Sequence, residues 1–176
     1  MELIRYPNEF LDKKVKPFDW ENLDSEKIEQ EMISIMMNND GIGLAANQVS
    51  LDARVFTIFP KRTKGITKPL AIIDPTIEQI SLNKIEDVEG CLSFPKLWIK
   101  VRRPEKVTVK FLDSKQKECI MEFSGYDARC FLHEYDHLEG ITFVNPARVS
   151  KLRLDMALKK QKKGNKAIKE LEHGRA

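Results

Sequence analysis

From Tyr126 to Leu138 the chain contains neither glycine nor proline, and its apolar positions, Ala128, Phe131, Leu132, Tyr135 and Leu138, cover more than one side of a helical wheel. A helix apolar on more than one side is stable only when it is surrounded, so the rest of the chain has to be built around this one. Gly140 supplies its stop, because glycine enters the left-handed conformation that ends helices at no steric cost. The same helix carries His133-Glu134-Tyr135-Asp136-His137. Residues four apart lie on one face a turn apart, so both imidazoles can reach one metal ion, and Glu134, about 100° round from His133, can lean over the open position as a general base. Two satisfied histidines in a buried helix would share this spacing. The intervening glutamate and the presence of only three histidines in the chain favour the metal.

The remainder supplies strands and two more helices. Asp24 reads as an N-cap, and Ile28, Met32, Ile35 and Met36 recur at helical spacing until Asn38-Asn39-Asp40-Gly41. Strands are expected over 54–59, 70–73, 107–112 and 120–123, the last two as a hairpin across Asp113 to Lys117, with a final helix from about Arg148 to Leu171. This order predicts an α+β fold: antiparallel or mixed sheets around a central buried helix carrying HExxH, flanked by an N-terminal and a C-terminal helix. At 176 residues, the length suits one catalytic domain, residues 1–147, followed by a basic helical extension, residues 148–176. The overall formal charge is only +3, yet the extension holds ten basic and three acidic residues. Such a polarity suits either a polyanion partner or a solvated helix face. No apolar run is long enough for a membrane span, and Met1 to Pro7 lacks the core of a signal peptide, so a soluble cytoplasmic protein is expected. It is taken to act as a monomer, although no sequence feature bears on the oligomeric state. Cys91, Cys119 and Cys130 are an odd number at no scaffold spacing, so metal binding or catalysis competes with plain burial.

A catalytic metal site usually takes three protein ligands. Beyond Gly140 the acidic residues are few and His173 lies in a polar tail, so the third ligand is sought upstream. Cys91 stands out there, in the tight segment Glu89-Gly90-Cys91-Leu92-Ser93-Phe94-Pro95, although a cysteine also serves as a small buried apolar residue. In Gly41-Ile42-Gly43-Leu44-Ala45-Ala46-Asn47-Gln48-Val49 the small residues permit close backbone approach, and Gln48 offers an amide N–H to a developing oxyanion; a small-residue turn before a strand would look the same.

Together and in this order, Gly41 to Gln48, Glu89 to Ser93, and His133 to Gly140 resemble the three signatures of the peptide deformylases, over about residues 3 to 146. Arg5-Tyr6-Pro7 with Leu11 also resembles the family's start, and the position before the first histidine, usually Gln in the family, is Leu132 here. The resemblance implies a metal-dependent hydrolase that removes the formyl group from the N-terminal formyl-methionine of newly made proteins. It implies Cys91, His133 and His137 as metal ligands and Glu134 as general base and acid for a metal-activated water that attacks the formyl carbon. Gln48 and the backbone N–H of Leu92 would meet the oxyanion. Substrate backbone would pair along Ile42 and Gly43 on one side and Gly90 on the other, with the methionine beside Tyr126, Arg129 and Cys130. Arg129 could instead pair with an acid at the rim, and Asp136 is expected to face Arg102 or Arg103. The implied ion is Fe2+, with Ni2+, Co2+ and Zn2+ accepted by the same donors. The basic helix would dock on the ribosome. The alternative on the same core is an HExxH zinc endopeptidase.

Overall fold

The computed structural model describes residues 1–173. Helix α1, Ser25–Asn38, begins where expected, with the Asp24 carboxylate accepting from the Lys27 amide at 3.0 Å, and buries Ile28, Met32 and Met36. Strand β1, Gly43–Ala45, leads into a buried 3₁₀ turn, Ala46–Val49, and then to β2, Val55–Ile58. Next come β3, Leu70–Ile80, and a long hairpin of β4, Lys84–Cys91, and β5, Phe94–Pro104. Strands β6, Lys106–Leu112, and β7, Glu118–Ser124, form the expected second hairpin before helix α2, Gly125–Leu138, and helix α3, Lys151–His173.

Five strands make an antiparallel sheet in the order β1-β2-β3-β6-β7, and β4-β5 stand as a separate two-stranded sheet. Strand β2 is apolar throughout because it is covered on both sides: Phe56 and Ile58 pack with Phe131 and Leu138 of α2, whereas Val55 belongs with Met32 and Met36 of α1. The period-2 alternation of a strand thus assigns one helix to each face. Phe131 anchors α2, with Phe56 edge-on at 5.3 Å between ring centroids and Phe123 stacked at 5.5 Å. Gly140 ends α2 at φ 70°, and a Cβ there would collide with the Asp12 carbonyl, so glycine is required both for conformation and for the crossing of the N-terminal segment.

Three boundaries differ from the sequence reading. Strand β3 continues past Pro75 to Ile80, because the register shift between Ile73 and Thr76 places the proline where the ladder is already interrupted. The tight segment around Cys91 is bounded by two strands that the sequence reading did not contain: it is the tip of the β4–β5 hairpin, with Leu92 and Ser93 at the turn. Helix α3 starts at Lys151 rather than Arg148, and Leu154, Ala157 and Leu158 join the cluster of Leu97, Ile99 and Val101 from β5.

Candidate metal centre

One turn of α2 separates His133 from His137, and their ring centroids stand 5.1 Å apart. Cys91, at the end of β4, brings its Sγ to 3.3 Å from His137 Nε2, and one ligand atom from each of the three residues falls within 4.8 Å of the other two. Cys119 lies away on β7, and Cys130 donates to the Ile42 carbonyl at 3.4 Å with its thiol pushed up by burial. A thiolate with two imidazoles suits a divalent zinc, iron, nickel or cobalt ion. Burial pushes His137 well below the usual imidazole value, which keeps it neutral with a lone pair free for a metal.

Glu134 is buried beside this cluster. Its carboxylate lies against Gly43, where a Cβ would overlap it, so β1 must carry a glycine at that point. Oε2 has no hydrogen-bond partner, and burial pushes the carboxyl up to about 7, against the lowering effect of His133 and Arg103. An acid poised near neutrality in a closed site is suited to taking and returning a proton.

Behind the ligands lies a buried charge network. His133 Nδ1 meets Glu89 Oε2 at 3.0 Å, which leaves Nε2 for a metal. Arg103 grips Glu89 with two contacts, Nε to Oε1 at 2.7 Å and Nη2 to Oε2 at 2.9 Å, and Arg129 adds a third at 2.6 Å. Burial acts to raise Glu89, but the hydrogen bonds from Arg103 and His133 outweigh it and hold the carboxyl well below the usual carboxylate range. Asp136 meets Arg103 at 2.5 Å, which selects Arg103 over the exposed Arg102.

A cleft of about 440 Å³ opens onto this centre. Ile42 and Gly43 line one side and Gly90 the other, so the edges of both sheets face the same space. Tyr126, Arg129 and Cys130 line it too, and Arg129 pairs with Glu89, an acid that is buried rather than at the rim. Leu92 borders the cleft at the hairpin turn. Gln48 is fixed from both ends: its Oε1 accepts from the Ala45 amide at 2.8 Å, and its Nε2 donates to Ser93 Oγ at 3.1 Å and towards Cys91 Sγ at 3.4 Å.

The polypeptide deformylase family profile matches residues 1–153. The chain belongs to this family. Peptide deformylase 2 of Gloeobacter violaceus is 40% identical over 124 residues, covering 70% of this chain and 66% of its own length. The chloroplastic peptide deformylase 1B of Oryza sativa is 34% identical over 81% of this chain, which spans 53% of that protein. The crystal structure of a peptide deformylase from Legionella pneumophila superposes with a TM-score of 0.81 at 32% identity, covering 94% of this chain and 95% of that one. Membership supports a metal-dependent deformylase role, and Cys91, His133 and His137 form a cluster able to hold a metal ion. No helix among the described residues is long and apolar enough to cross a membrane.

Against the family pattern, Leu132 is the departure, and its side chain is absorbed into the core with Ala128 and Phe131 while its carbonyl accepts from Arg103 at 3.3 Å. The residues around the ligands that sequence reading missed are Glu89 as the partner of His133, Ser93 as the anchor of Gln48, and Asn47, whose amide donates to the His137 carbonyl at 2.6 Å. For Arg103 a signal existed, because Leu97, Ile99, Val101 and Arg103 fall on one face of β5.

Proposed function

We propose that this chain is a peptide deformylase that releases formate from the N-terminal formyl-methionine of nascent polypeptides in the cytoplasm. The observation that carries it is the convergence of Cys91, His133 and His137 beside Glu134 at the floor of a cleft edged by two sheets. Cys91, His133 and His137 would hold the divalent ion, which when bound lowers the pKa of a water and polarises a carbonyl oxygen. We take it to be Fe2+, the ion the family resemblance implies, with Ni2+, Co2+ or Zn2+ as substitutes.

Glu134 accepts a proton from the attacking water as its oxygen bonds to the formyl carbon, then returns that proton to the amine nitrogen as the carbon–nitrogen bond breaks. The Gln48 amide and the Leu92 backbone N–H donate to the oxygen that gains charge. Gln48 is suited to this because its other end is tied to Ala45, so the amide is already oriented. Ile42 and Gly43 pair with the substrate backbone on one edge and Gly90 on the other, in the manner of an added strand. Tyr126, Arg129 and Cys130 border the space for the methionine side chain. Residues 1–147 form the catalytic body, acting as a monomer, and residues 148–176 the extension, whose exposed Lys159, Lys160, Lys162 and Lys163 meet ribosomal RNA. Lys166 and Lys169, also counted in the basic helix, have side chains outside the described residues.

No observation favours the endopeptidase alternative. The test is an anaerobic assay that compares formate release from formyl-Met-Ala-Ser with cleavage of internal bonds in an unformylated peptide. Formate release alone is expected, and internal cleavage at a comparable rate would overturn the proposal.

A further inference from the structure

We infer that Arg148, in the segment between α2 and α3, is a positioning residue that holds the metal-binding turn of α2 in place. This rests on Cys91, His133 and His137 being the ligands. Arg148 makes a two-pronged contact with Asp136, Nε to Oδ2 at 2.6 Å and Nη2 to Oδ1 at 2.5 Å. Asp136 stands between the two histidines, three residues after His133 and one before His137. Its Oδ2 is shared with Arg103 Nη1 at 2.5 Å, and the opposite edge of the Arg103 guanidinium takes both oxygens of Glu89. Glu89 in turn holds His133 Nδ1, and it lies two residues before Cys91 on β4. An unbroken chain of side chains therefore runs Arg148, Asp136, Arg103, Glu89, His133.

Each link before the histidine is a contact of planar charged groups, which fixes orientation as well as distance. A bidentate guanidinium sets the plane of the Asp136 carboxylate, and that plane decides where Oδ2 is offered to Arg103. Without Arg148, Asp136 is held from one side only, by an arginine whose other edge is committed to Glu89. The Asp136 side chain would then be tied to β5 but no longer to the segment that leads into α3. The Arg148 side chain is 32% exposed, whereas those of Asp136 and Arg103 are 7% and 4% exposed, so Arg148 is the one member of the chain that can be exchanged without emptying the interior. Arg148, the first residue of the extension, accordingly serves the catalytic body that precedes it.

The test uses the full chain and its variants Arg148→Met, Arg148→Lys, Asp136→Asn and the Arg148→Met/Asp136→Asn pair. Each is stripped of metal and titrated with Co2+ under argon against a competing chelator, and the thiolate-to-cobalt absorption band reports coordination by Cys91. Arg148→Met is expected to weaken Co2+ binding by roughly 10-fold and to lower kcat of the cobalt form more than it changes KM. Arg148→Lys should recover part of the loss, since it keeps the charge but not the fork. Adding Arg148→Met to Asp136→Asn should weaken binding little further, because Arg148 acts through Asp136. Wild-type Co2+ affinity in Arg148→Met, even with a lower melting temperature of the metal-free protein, or full additivity in the pair, would overturn the inference. Failure of the wild-type chain itself to take up Co2+ with a thiolate band would instead overturn the ligand assignment, and the inference with it.

Discussion

Replacing Glu134 by glutamine should make the metal-free protein more stable at neutral pH while removing its activity. The carboxyl is fully enclosed, its Oε2 has no partner, and burial lifts it from 4.5 to about 7. Below pH 4.5 the group is protonated in both folded and unfolded chains, and its contribution to stability is fully present. As pH rises, the unfolded chain releases the proton first, so the folded state loses ground until the folded carboxyl also ionises near 7. A rise of about 2.5 pH units at 1.36 kcal/mol each is about 3 kcal/mol, a large share of the 5–15 kcal/mol typical of a domain. The glutamine amide never ionises, so the difference in unfolding free energy between variant and wild type should be near zero at about pH 4 and climb towards about 3 kcal/mol in favour of the variant by about pH 8. Glu89 titrates in the opposite sense, its stabilisation being lost towards acid pH, but it is present in both proteins and cancels in the difference. Urea unfolding of metal-free samples, followed by the fluorescence of Trp20 and Trp98 at several pH values, measures this directly. Turnover by the variant loaded with metal should fall by roughly 10² to 10⁴. A stability difference that stays flat across this pH range would refute the reasoning, since it would mean that the carboxyl is solvated or paired.

Glu89→Gln should destabilise the protein by about 3 kcal/mol or more, because Arg103 and Arg129 would lose the charge they share, and should weaken metal binding by roughly 10- to 100-fold; chemical denaturation and chelator competition check the two effects. Gly43→Ala should leave the metal content unchanged yet lower kcat by roughly 10²-fold, since the new methyl displaces the Glu134 carboxylate, and metal analysis beside formate release separates the two. Truncation after Leu158 keeps Arg148 and the packing of Leu154, Ala157 and Leu158, so tripeptide turnover should stay near wild type while ribosome co-sedimentation at low salt falls; equal co-sedimentation of both chains would assign the lysines to solubility alone.

The helix around HExxH was legible because two signals agreed there: a stretch free of glycine and proline, and apolar residues on more than one side, with Gly140 at the end. Strand β2 was legible as a short, largely apolar run before Pro60, and the β6–β7 hairpin as two stretches with alternating apolar residues joined by the turn residues Asp113 to Lys117. The β4–β5 hairpin was not. Strand β4 is half charged and mostly exposed, the Leu92-Ser93 turn lacks the Asn-Gly or Gly signal of a tight hairpin, and Lys96, Trp98, Lys100 and Arg102 interrupt the apolar reading of β5 by pointing outwards. The three metal-ligand candidates were therefore visible as residue types, while the network behind them was not. Glu89 sits in a strand with little inward periodicity, and Arg148 sits in a loop, where nothing in the local pattern tells an arginine that reaches a buried carboxylate from one that faces water. Such contacts arise from tertiary juxtaposition, with Arg148 and Arg103 converging on Asp136 from two different elements.

Titration of the metal-free chain with Fe2+ under anaerobic conditions, with formate release from a formyl-methionyl tripeptide measured at each addition, tests the central reading most directly. Activity should rise in proportion to added metal and level off at one ion per chain in the wild type, and should remain near zero in Cys91→Ala at the same metal concentrations. Full formate release by the metal-free chain, or saturation at one ion with wild-type activity in Cys91→Ala, would contradict the account.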